Sequence, residues 1–253
     1  MSRAAEAQTR VLRWDPPVDL SVTATTGAAW IAMELLRPTL APTTCRWCAV
    51  DSLDAGIREA LVWRRPLVAD TLSDVTAFGA LPVGMFGLNA LAAYHDGVAG
   101  NAGVDTALVV EAAVVAGGVN ELVRLVAARE RPYAHGLPPE EKPFSVENNL
   151  SFFSGHTTEA FAIATAAGTV ASMRGYRLAP LLWVTGGGLA LATGYLRIAS
   201  DKHWFTDVVV GMVVGAGLGF AIPFVFHRPE PPAPGSTRAP PGAPQAAIVS
   251  FAW

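Results

Sequence analysis

Apolar residues along this chain are grouped in runs long enough to cross a bilayer, and the polar residues lie mostly between these runs. A hydrocarbon core about 30 Å thick needs about 20 apolar residues in an α-helix, and no alternation of the β-barrel type is present. The pattern predicts an all-α fold, a polytopic membrane helix bundle of about six transmembrane helices. The first run carries Glu34 and the fourth is short and begins with polar residues, so four or five crossings are the alternative. The runs are 20–36, 75–94, 104–126, 157–173, 178–196 and 204–226.

The segments between the runs are rich in proline and charge. Residues 37–73 and 127–153 are predicted to be loops, the first with room for a short amphipathic helix around 51–63. Seven prolines between Arg228 and Pro244 predict a flexible or polyproline tail. The predicted organisation is an N-terminal segment 1–19, a membrane-embedded domain 20–227 and a proline-rich C-terminal tail 228–253.

Composition agrees with a lipid environment. The chain has 253 residues, of which 51% are hydrophobic and 15% charged, and its mean hydropathy is +0.35. A soluble domain of ordinary composition carries about 25% charged residues. The formal net charge is −3, and no basic run with interleaved aromatic residues is present, so nucleic acid is not an expected partner.

The strongest chemical pattern is Arg197, His203 and Asp207, at the start of the last apolar run. The i, i+4 spacing places the imidazole and the carboxylate on one helix face, where the carboxylate can accept the proton of one ring nitrogen. The other ring nitrogen is then free to attack phosphorus, and the guanidinium group suits phosphate oxygens. The alternative for an isolated His-x3-Asp is a polar helix start near the lipid headgroups.

A second pattern, Ser154-Gly155-His156, is typical of a helix entry. Serine is a good N-cap, glycine allows close approach of the backbone, and the free amides of the first turn attract an anion. His156 would then stand beside a bound phosphate as a general acid. The alternative is a plain helix cap with a surface histidine.

A third pattern is Arg124 and Arg131, the second of which precedes a proline. We expect the chain to leave the helix before that proline and to fold Arg131 inward, so that fixed positive charge neutralises a phosphate. Glu121, three residues before Arg124, is a possible partner for it, and Arg129 and Glu130 are predicted to be solvated. The alternative is a pair of interfacial arginines that reach the headgroups.

With six helices, all three patterns fall at the same end of the bundle. They resemble the signature of the type 2 phosphatidic acid phosphatase (PAP2) superfamily, whose relatives include vanadium-dependent haloperoxidases and bacterial acid phosphatases. That signature is Lys-x6-Arg-Pro, then Pro-Ser-Gly-His, then Ser-Arg-x5-His-x3-Asp, and the resemblance covers about 124–226. It implies that His203 is the nucleophile, that Asp207 orients it, and that His156 is the acid and later the base for water. The implied phosphate ligands are Arg124, Arg131, Ser154, Gly155 and Arg197.

Three positions depart from that signature. Arg124 stands where the family has lysine, Phe153 where it has proline, and Leu196 where it has serine. Arginine keeps the charge but has a larger, planar head group, which changes the fit to phosphate. None of the three changes removes a group that titrates.

The residues and the resemblance together predict a metal-independent lipid phosphate phosphatase, a phosphomonoesterase or diphosphatase that acts through a phosphohistidine and needs no cofactor. Expected partners are a lipid phosphate or diphosphate and membrane lipids. Two alternatives remain: a vanadate-dependent haloperoxidase-like enzyme, and a non-catalytic lipid-binding protein. The resemblance implies a bacterial inner-membrane protein with its active site facing the periplasm, whereas the Lys/Arg counts of the loops favour neither orientation.

Two isolated features complete the sequence picture. Cys45 and Cys48 are the only cysteines, and on the oxidising side of a membrane they can form a small disulfide. Glu111, inside an apolar run, is expected to be buried in the bundle beside a polar partner, with a proton or substrate path as the alternative.

Overall fold

The computed structural model describes residues 10–229, and within that range the chain is a helix bundle without a β-strand. Residues 1–9 of the predicted N-terminal segment and residues 230–253 of the predicted C-terminal tail lie outside the described residues. The helices are α1 (Pro16–Leu35), α2 (Arg37–Leu40), α3 (Ser52–Leu61), α4 (Pro66–Asp74), a π-helical segment (Val75–Ala80), α5 (Leu81–His95), α6 (Ala102–Ala127), α7 (Gly155–Arg174), α8 (Ala179–Ala199) and α9 (Phe205–Phe226).

The predicted all-α membrane bundle is confirmed, but six crossings are not. Among the described residues, four helical segments are long and apolar enough to span a bilayer: 66–95, 99–127, 179–199 and 205–226. The two predicted spans that do not qualify correspond to α1 and α7. In α7 the reason is location, because 15 of its 20 residues are buried in the bundle, where small and polar residues meet protein instead of lipid.

The second span begins earlier than the apolar pattern indicates. Residues 66–73 were predicted to belong to a loop, whereas the structure includes them in one helical segment from Pro66 to His95. Proline at the first helical position favours this start. Asp70 and Asp74 lowered the apparent hydrophobicity of the segment, and both side chains face protein partners rather than lipid. The predicted amphipathic helix near 51–63 is confirmed as α3.

Helix α7 lies at the centre of the bundle and packs most closely on α9. A row of glycines, Gly211, Gly215 and Gly219, allows this approach. A Cβ atom built at Gly215 would lie 2.3 Å from the carbonyl oxygen of Thr158, and one built at Gly219 would lie 2.5 Å from that of Ala162. Small residues at this spacing let two membrane helices bring their backbones together, so the row fixes α7 and its N-terminus against α9.

We expect Gly215→Val to separate α7 from α9 and to lower the free energy of unfolding by about 1–3 kcal/mol, the usual cost of overpacking. The measurement is the thermal unfolding midpoint of the detergent-purified protein. Gly217→Val is the matched control, because a Cβ atom there meets nothing within 4 Å. Equal midpoints for the two variants would show that the close approach of α7 and α9 does not contribute to stability.

Candidate functional site

A cavity of about 370 Å³ opens at the end of the bundle where α1, α6 and α8 finish and α7 begins. The structure brings six of the eight predicted site residues to it. The exceptions are Ser154 and Asp207, which lie behind its wall. Of the predicted set, the cavity is lined by Arg124, Arg131, Gly155, His156, Arg197 and His203.

His203 lies in the short loop between α8 and α9 and is 2% exposed. Its Nδ1 donates to the carbonyl oxygen of Ser151 at 2.8 Å. A carbonyl only accepts, so Nδ1 carries the ring proton and Nε2 keeps its lone pair. Burial, together with the positive charges of Arg131 and Arg197, lowers the pKa of His203 well below its usual value. The ring is therefore neutral at physiological pH, as a nucleophile must be.

The predicted direct hydrogen bond from His203 to Asp207 is wrong. The carboxylate oxygen of Asp207 lies 3.8 Å from His203 Nδ1, beyond hydrogen-bond distance. Asp207 instead accepts from the Ser151 hydroxyl at 2.6 Å and from the Trp204 backbone N–H at 2.9 Å. It therefore positions the imidazole indirectly, by fixing the residue whose carbonyl holds Nδ1 and the backbone next to the ring.

The prediction that Arg129 and Glu130 are solvated is also wrong. Arg129 is 1% exposed and joins two buried carboxylates, with 2.5 Å to Asp207 Oδ1 and 2.6 Å to Asp54 Oδ2. Its guanidinium group also lies 4.1 Å from the ring centroid of Trp47. Glu130 is 6% exposed and accepts from the Lys142 side chain. Arg129 thus places a fixed positive charge beside Asp207 without using a cavity arginine.

The N-terminus of α7 forms one wall of the cavity. The first backbone N–H in this helix with an intrahelical partner is that of Thr158, which donates to Ser154, so the three preceding amides have no intrahelical acceptor. A Cβ atom at Gly155 would lie 3.0 Å from Asn120 Oδ1, so any larger residue would have to displace the Asn120 side chain. Ser154 stands at the N-cap as predicted, but its hydroxyl pairs with that of Thr157 at 2.9 Å and does not line the cavity.

His156 projects from the first turn of α7 towards α4. Its Nε2 lies 2.7 Å from Asp74 Oδ1, and its ring meets Phe78 edge-on, with centroids 4.6 Å apart. This imidazole, like that of His203, therefore has an acceptor that fixes its orientation. Burial, together with the positive charges of Arg197 and Arg131, lowers the pKa of His156 well below its usual value, so the ring is neutral beside these cations.

Arg124 and Arg131 converge on one carboxylate, that of Glu147. Glu147 Oε2 lies 2.8 Å from Arg124 Nη2 and 2.5 Å from Arg131 Nη2, and Oε1 lies 2.9 Å from Arg37 Nη1. Burial alone would raise the pKa of Glu147, but the three arginines hold it below its usual value. The predicted pairing of Arg124 with Glu121 is confirmed at 3.1 Å. This part of the cavity already binds an oxyanion that belongs to the protein.

Arg197, in the last turn of α8, reaches across to α4. Its Nη1 donates to Asp70 Oδ1 at 2.7 Å and to the Ser73 hydroxyl at 2.8 Å. Nε of the same guanidinium is buried and has no hydrogen-bond partner among the described residues. Lys202 lies 3.3 Å from the other oxygen of Asp70. Two cations therefore share one carboxylate and keep donor capacity for a further anion.

Cys45 and Cys48 form a disulfide with a Cα–Cα distance of 5.5 Å. It lies in the loop between α2 and α3, which contacts the C-terminal end of α6 through a backbone hydrogen bond from Arg46 to Ala128. The disulfide therefore lies on the same side of the bundle as the cavity.

The sequence profile of the PAP2 superfamily matches residues 105–230, a range that contains all eight predicted site residues. The chain belongs to the PAP2 superfamily. It is an integral membrane protein of that superfamily, with several apolar helices.

Two individual proteins resemble this PAP2 chain. A lipid A 1-phosphatase of Porphyromonas gingivalis is 39% identical over 69 residues, which are 27% of this chain and 15% of that protein. The shared stretch is thus a small part of that relative. A crystal structure of a transmembrane PAP2-type phosphatidylglycerolphosphate phosphatase from Bacillus subtilis aligns with a TM-score of 0.49 and 19% identity, covering 78% of this chain and 93% of the other.

Several residues that line or support the cavity were missed by the sequence analysis. Asp70 and Asp74 share an i, i+4 spacing just before an apolar run, but Asp70 was assigned to the predicted loop 37–73 and the helix was predicted to begin only at residue 75. Glu147 and Ser151 lie in an irregular loop, where no periodicity indicates which side chains turn inward. Asp54 follows the N-cap of an amphipathic helix, and its sequence context resembles that of an ordinary capping residue.

We expect Arg129→Gln to leave Asp54 and Asp207 as buried, unpaired carboxylates. Removing one partner of a buried ion pair costs about 3–5 kcal/mol, so the thermal unfolding midpoint should fall well below that of the unmodified protein. Arg64→Gln is the control, because Arg64 is exposed. A midpoint for Arg129→Gln equal to that of the control would mean that the network does not hold the loop.

Proposed function

We propose that this protein hydrolyses the phosphate ester or diphosphate of a membrane lipid, without a metal ion, through a phosphohistidine intermediate on His203. The observation that carries the proposal is the convergence of His203, His156 and three buried arginines on one cavity at one end of the helix bundle. Membership of the PAP2 superfamily and the lipid A 1-phosphatase relative support a lipid phosphate as the substrate class.

Phosphate binding uses the donors that line the cavity. Guanidinium groups of Arg124, Arg131 and Arg197 and the free amides at the start of α7 surround the position of the phosphoryl oxygens. Glu147 now accepts from two of these arginines. An incoming dianion offers them more charge and more acceptor oxygens than one carboxylate, so it competes for the same donors.

The first chemical step forms a bond from His203 Nε2 to phosphorus. The bond from phosphorus to the leaving oxygen breaks, and the electron pair stays on that oxygen. His156 supplies a proton to the oxygen. The negative charge of the bound phosphate offsets the cavity cations that lower the pKa of His156, so the ring can carry this proton beside Asp74. The arginines stabilise the charge that develops on the phosphoryl oxygens, which is the main source of catalysis in phosphoryl transfer.

The second step hydrolyses the phosphohistidine. His156, now neutral, accepts a proton from water while the water oxygen attacks phosphorus. The bond from phosphorus to His203 Nε2 breaks, and inorganic phosphate leaves with the ring neutral again. The hydrogen bond from Nδ1 to Ser151 persists through both steps and fixes the tautomer.

The position of the cavity explains why such chemistry suits a membrane protein. The charged groups lie at helix ends, where a lipid headgroup sits, while the chains of the same lipid stay beside the apolar helix faces. Candidate substrates are prenyl diphosphate carriers, phosphatidylglycerol phosphate, phosphatidic acid and, by similarity to the relative, a lipid A phosphate.

The disulfide supports a bacterial inner-membrane protein with the cavity facing the periplasm. Disulfides persist in oxidising compartments and are rare in the cytosol, and Cys45–Cys48 lies on the cavity side. The same orientation is implied by the resemblance in the sequence.

We expect His203→Ala to abolish phosphate release and His156→Ala to lower kcat by about 10²–10⁴-fold, the usual contribution of a general acid. The measurement is free phosphate from the detergent-purified protein, with a panel of the four lipid classes and a chelator present throughout. His95→Ala is the control, because this exposed histidine lies at the opposite end of the bundle.

Normal turnover by His203→Ala would exclude this histidine as the nucleophile. Loss of all activity in chelator at a temperature where the protein stays folded, with activity restored by a divalent metal, would exclude the metal-independent mechanism. Halide oxidation with added vanadate and peroxide, in the absence of phosphatase activity, would favour the haloperoxidase alternative instead.

The orientation has its own test. In spheroplasts treated with a mild reductant, a membrane-impermeant maleimide should label Cys45 and Cys48, because both lie on the proposed periplasmic side. The measurement is the mass shift of the purified protein, with unreduced spheroplasts as the control. Labelling that occurs only after the membrane is broken would place the cavity on the cytoplasmic side.

A further inference from the structure

A second cluster of buried ionisable groups lies at the end of the bundle opposite the cavity. It consists of Asp19 at the start of α1, Glu111 in the first half of α6 and His227 just after α9. Their side chains are 12%, 7% and 1% exposed. One carboxylate oxygen from each acid and one ring nitrogen of His227 lie within 4.8 Å of one another. No step of the proposed phosphoryl transfer uses these residues.

Two atoms of this cluster are buried without a hydrogen bond. Glu111 Oε2 and His227 Nε2 have no hydrogen-bond partner among the residues that the structure describes. They face each other at 3.4 Å, which exceeds the N–H···O range of about 2.7–3.2 Å. His227 Nδ1 lies 3.1 Å from the carbonyl oxygen of Arg13, so Nδ1 carries the ring proton. In the neutral ring, Nε2 therefore directs a lone pair towards a carboxylate oxygen.

The charge of the cluster is not balanced by the protein. Within residues 10–229, neither Asp19 nor Glu111 forms an ion pair with a lysine or an arginine. The only basic side chain within ion-pair distance of either acid is His227. Even a protonated His227 would balance only one of the two carboxylates, and an unbalanced buried charge is costly. A divalent cation placed between them and a neutral imidazole would leave the cluster without net charge.

The ligand types and the distance from Glu111 to His227 fit a transition metal. Asp19 Oδ2 lies 3.9 Å from the protonated Nδ1 of His227, so its side chain would turn towards Nε2 to complete the site. Zinc binds imidazole nitrogen and carboxylate oxygen at about 2.0–2.2 Å, so neighbouring ligand atoms around a tetrahedral ion lie roughly 3.4 Å apart. The separation of Glu111 Oε2 and His227 Nε2 is 3.4 Å. A ligating histidine usually donates its other ring N–H to a carbonyl or carboxylate, as His227 does to Arg13.

We propose that Asp19, Glu111 and His227 bind one divalent transition-metal ion, best fitted by zinc, in a structural site separate from the phosphate cavity. The ion would join the start of α1, the body of α6 and the chain that follows α9. The N-terminal stretch already approaches this end through the backbone hydrogen bond from Arg13 N–H to the Arg228 carbonyl. Bound metal would therefore lock the two ends of the described chain onto α6, and its role is stability.

The test uses the full chain, purified in detergent with an affinity tag that contains no histidine and stripped of metal with a chelator. Equilibrium dialysis against micromolar zinc chloride, followed by elemental analysis, should give one zinc ion per chain. Zinc should also raise the thermal unfolding midpoint by several degrees, because it binds the folded state only. Neither readout depends on phosphatase activity, so the outcome is independent of the proposed function.

The variants are Glu111→Gln, Asp19→Asn and His227→Gln, each close in size to the original residue. Each should lose the stoichiometric zinc and the zinc-dependent rise in midpoint, and the set provides a second variant if one fails to fold. His95→Ala, which removes an exposed histidine at the same end of the bundle, should behave like the unmodified protein. The proposal would be overturned if the unmodified protein bound no zinc, or if the three variants bound as much zinc as the unmodified protein.

Discussion

Buried guanidinium groups are the constraint on which the cavity end of this bundle depends. Arg124, Arg129, Arg131 and Arg197 are each no more than 7% exposed, and a buried charge is tolerated only with a partner. Every one of them has a carboxylate partner, and these partners come from different parts of the chain. The list is Glu121 and Glu147 for Arg124, Glu147 for Arg131, Asp54 and Asp207 for Arg129, and Asp70 for Arg197.

This pairing explains why the loops of the cavity end are ordered. The ion pairs of Arg129 join α3, the segment after α6 and the start of α9, and the pair of Arg197 joins α8 to α4. The same contacts locate both imidazoles. Asp207, held by Arg129, fixes Ser151 and through it His203, while Asp74 fixes His156. In the proposed mechanism a phosphate therefore enters a site whose charges are already oriented. It accepts hydrogen bonds from arginine N–H groups that donate to carboxylates in this structure.

How much of the fold can be predicted from the sequence depends on what the apolar pattern reports. Runs of apolar residues predict the helices whose surfaces meet lipid, which is why 104–126, 178–196 and 204–226 agree with α6, α8 and α9. The same signal fails where a helix turns polar residues towards protein. For that reason α4 was assigned to a loop and α7 carries too little hydrophobicity to qualify as a span.

The candidate site likewise contains residues that the sequence predicts and contacts that it does not. The spacing of Arg124, Gly155, His156, Arg197 and His203 was sufficient to place them at one end of the bundle, because their helices end there. Spacing alone could not reveal that Ser151 stands between Asp207 and His203, since an i, i+4 pair is close enough for contact but a carbonyl from a distant loop can intervene. The buried position of Arg129 is likewise set by Asp54, 75 residues away in the chain.

The central claim is that two imidazoles and the cavity arginines act on one tetrahedral anion. The most direct measurement is an experimental structure of the purified protein with vanadate, which mimics phosphate during transfer. The account predicts vanadium bonded to His203 Nε2, its oxygens within hydrogen-bond distance of Arg124, Arg131 and Arg197, and His156 beside the oxygen opposite His203. Vanadate bound away from His203, or an anion that contacts only one of the two histidines, would contradict it.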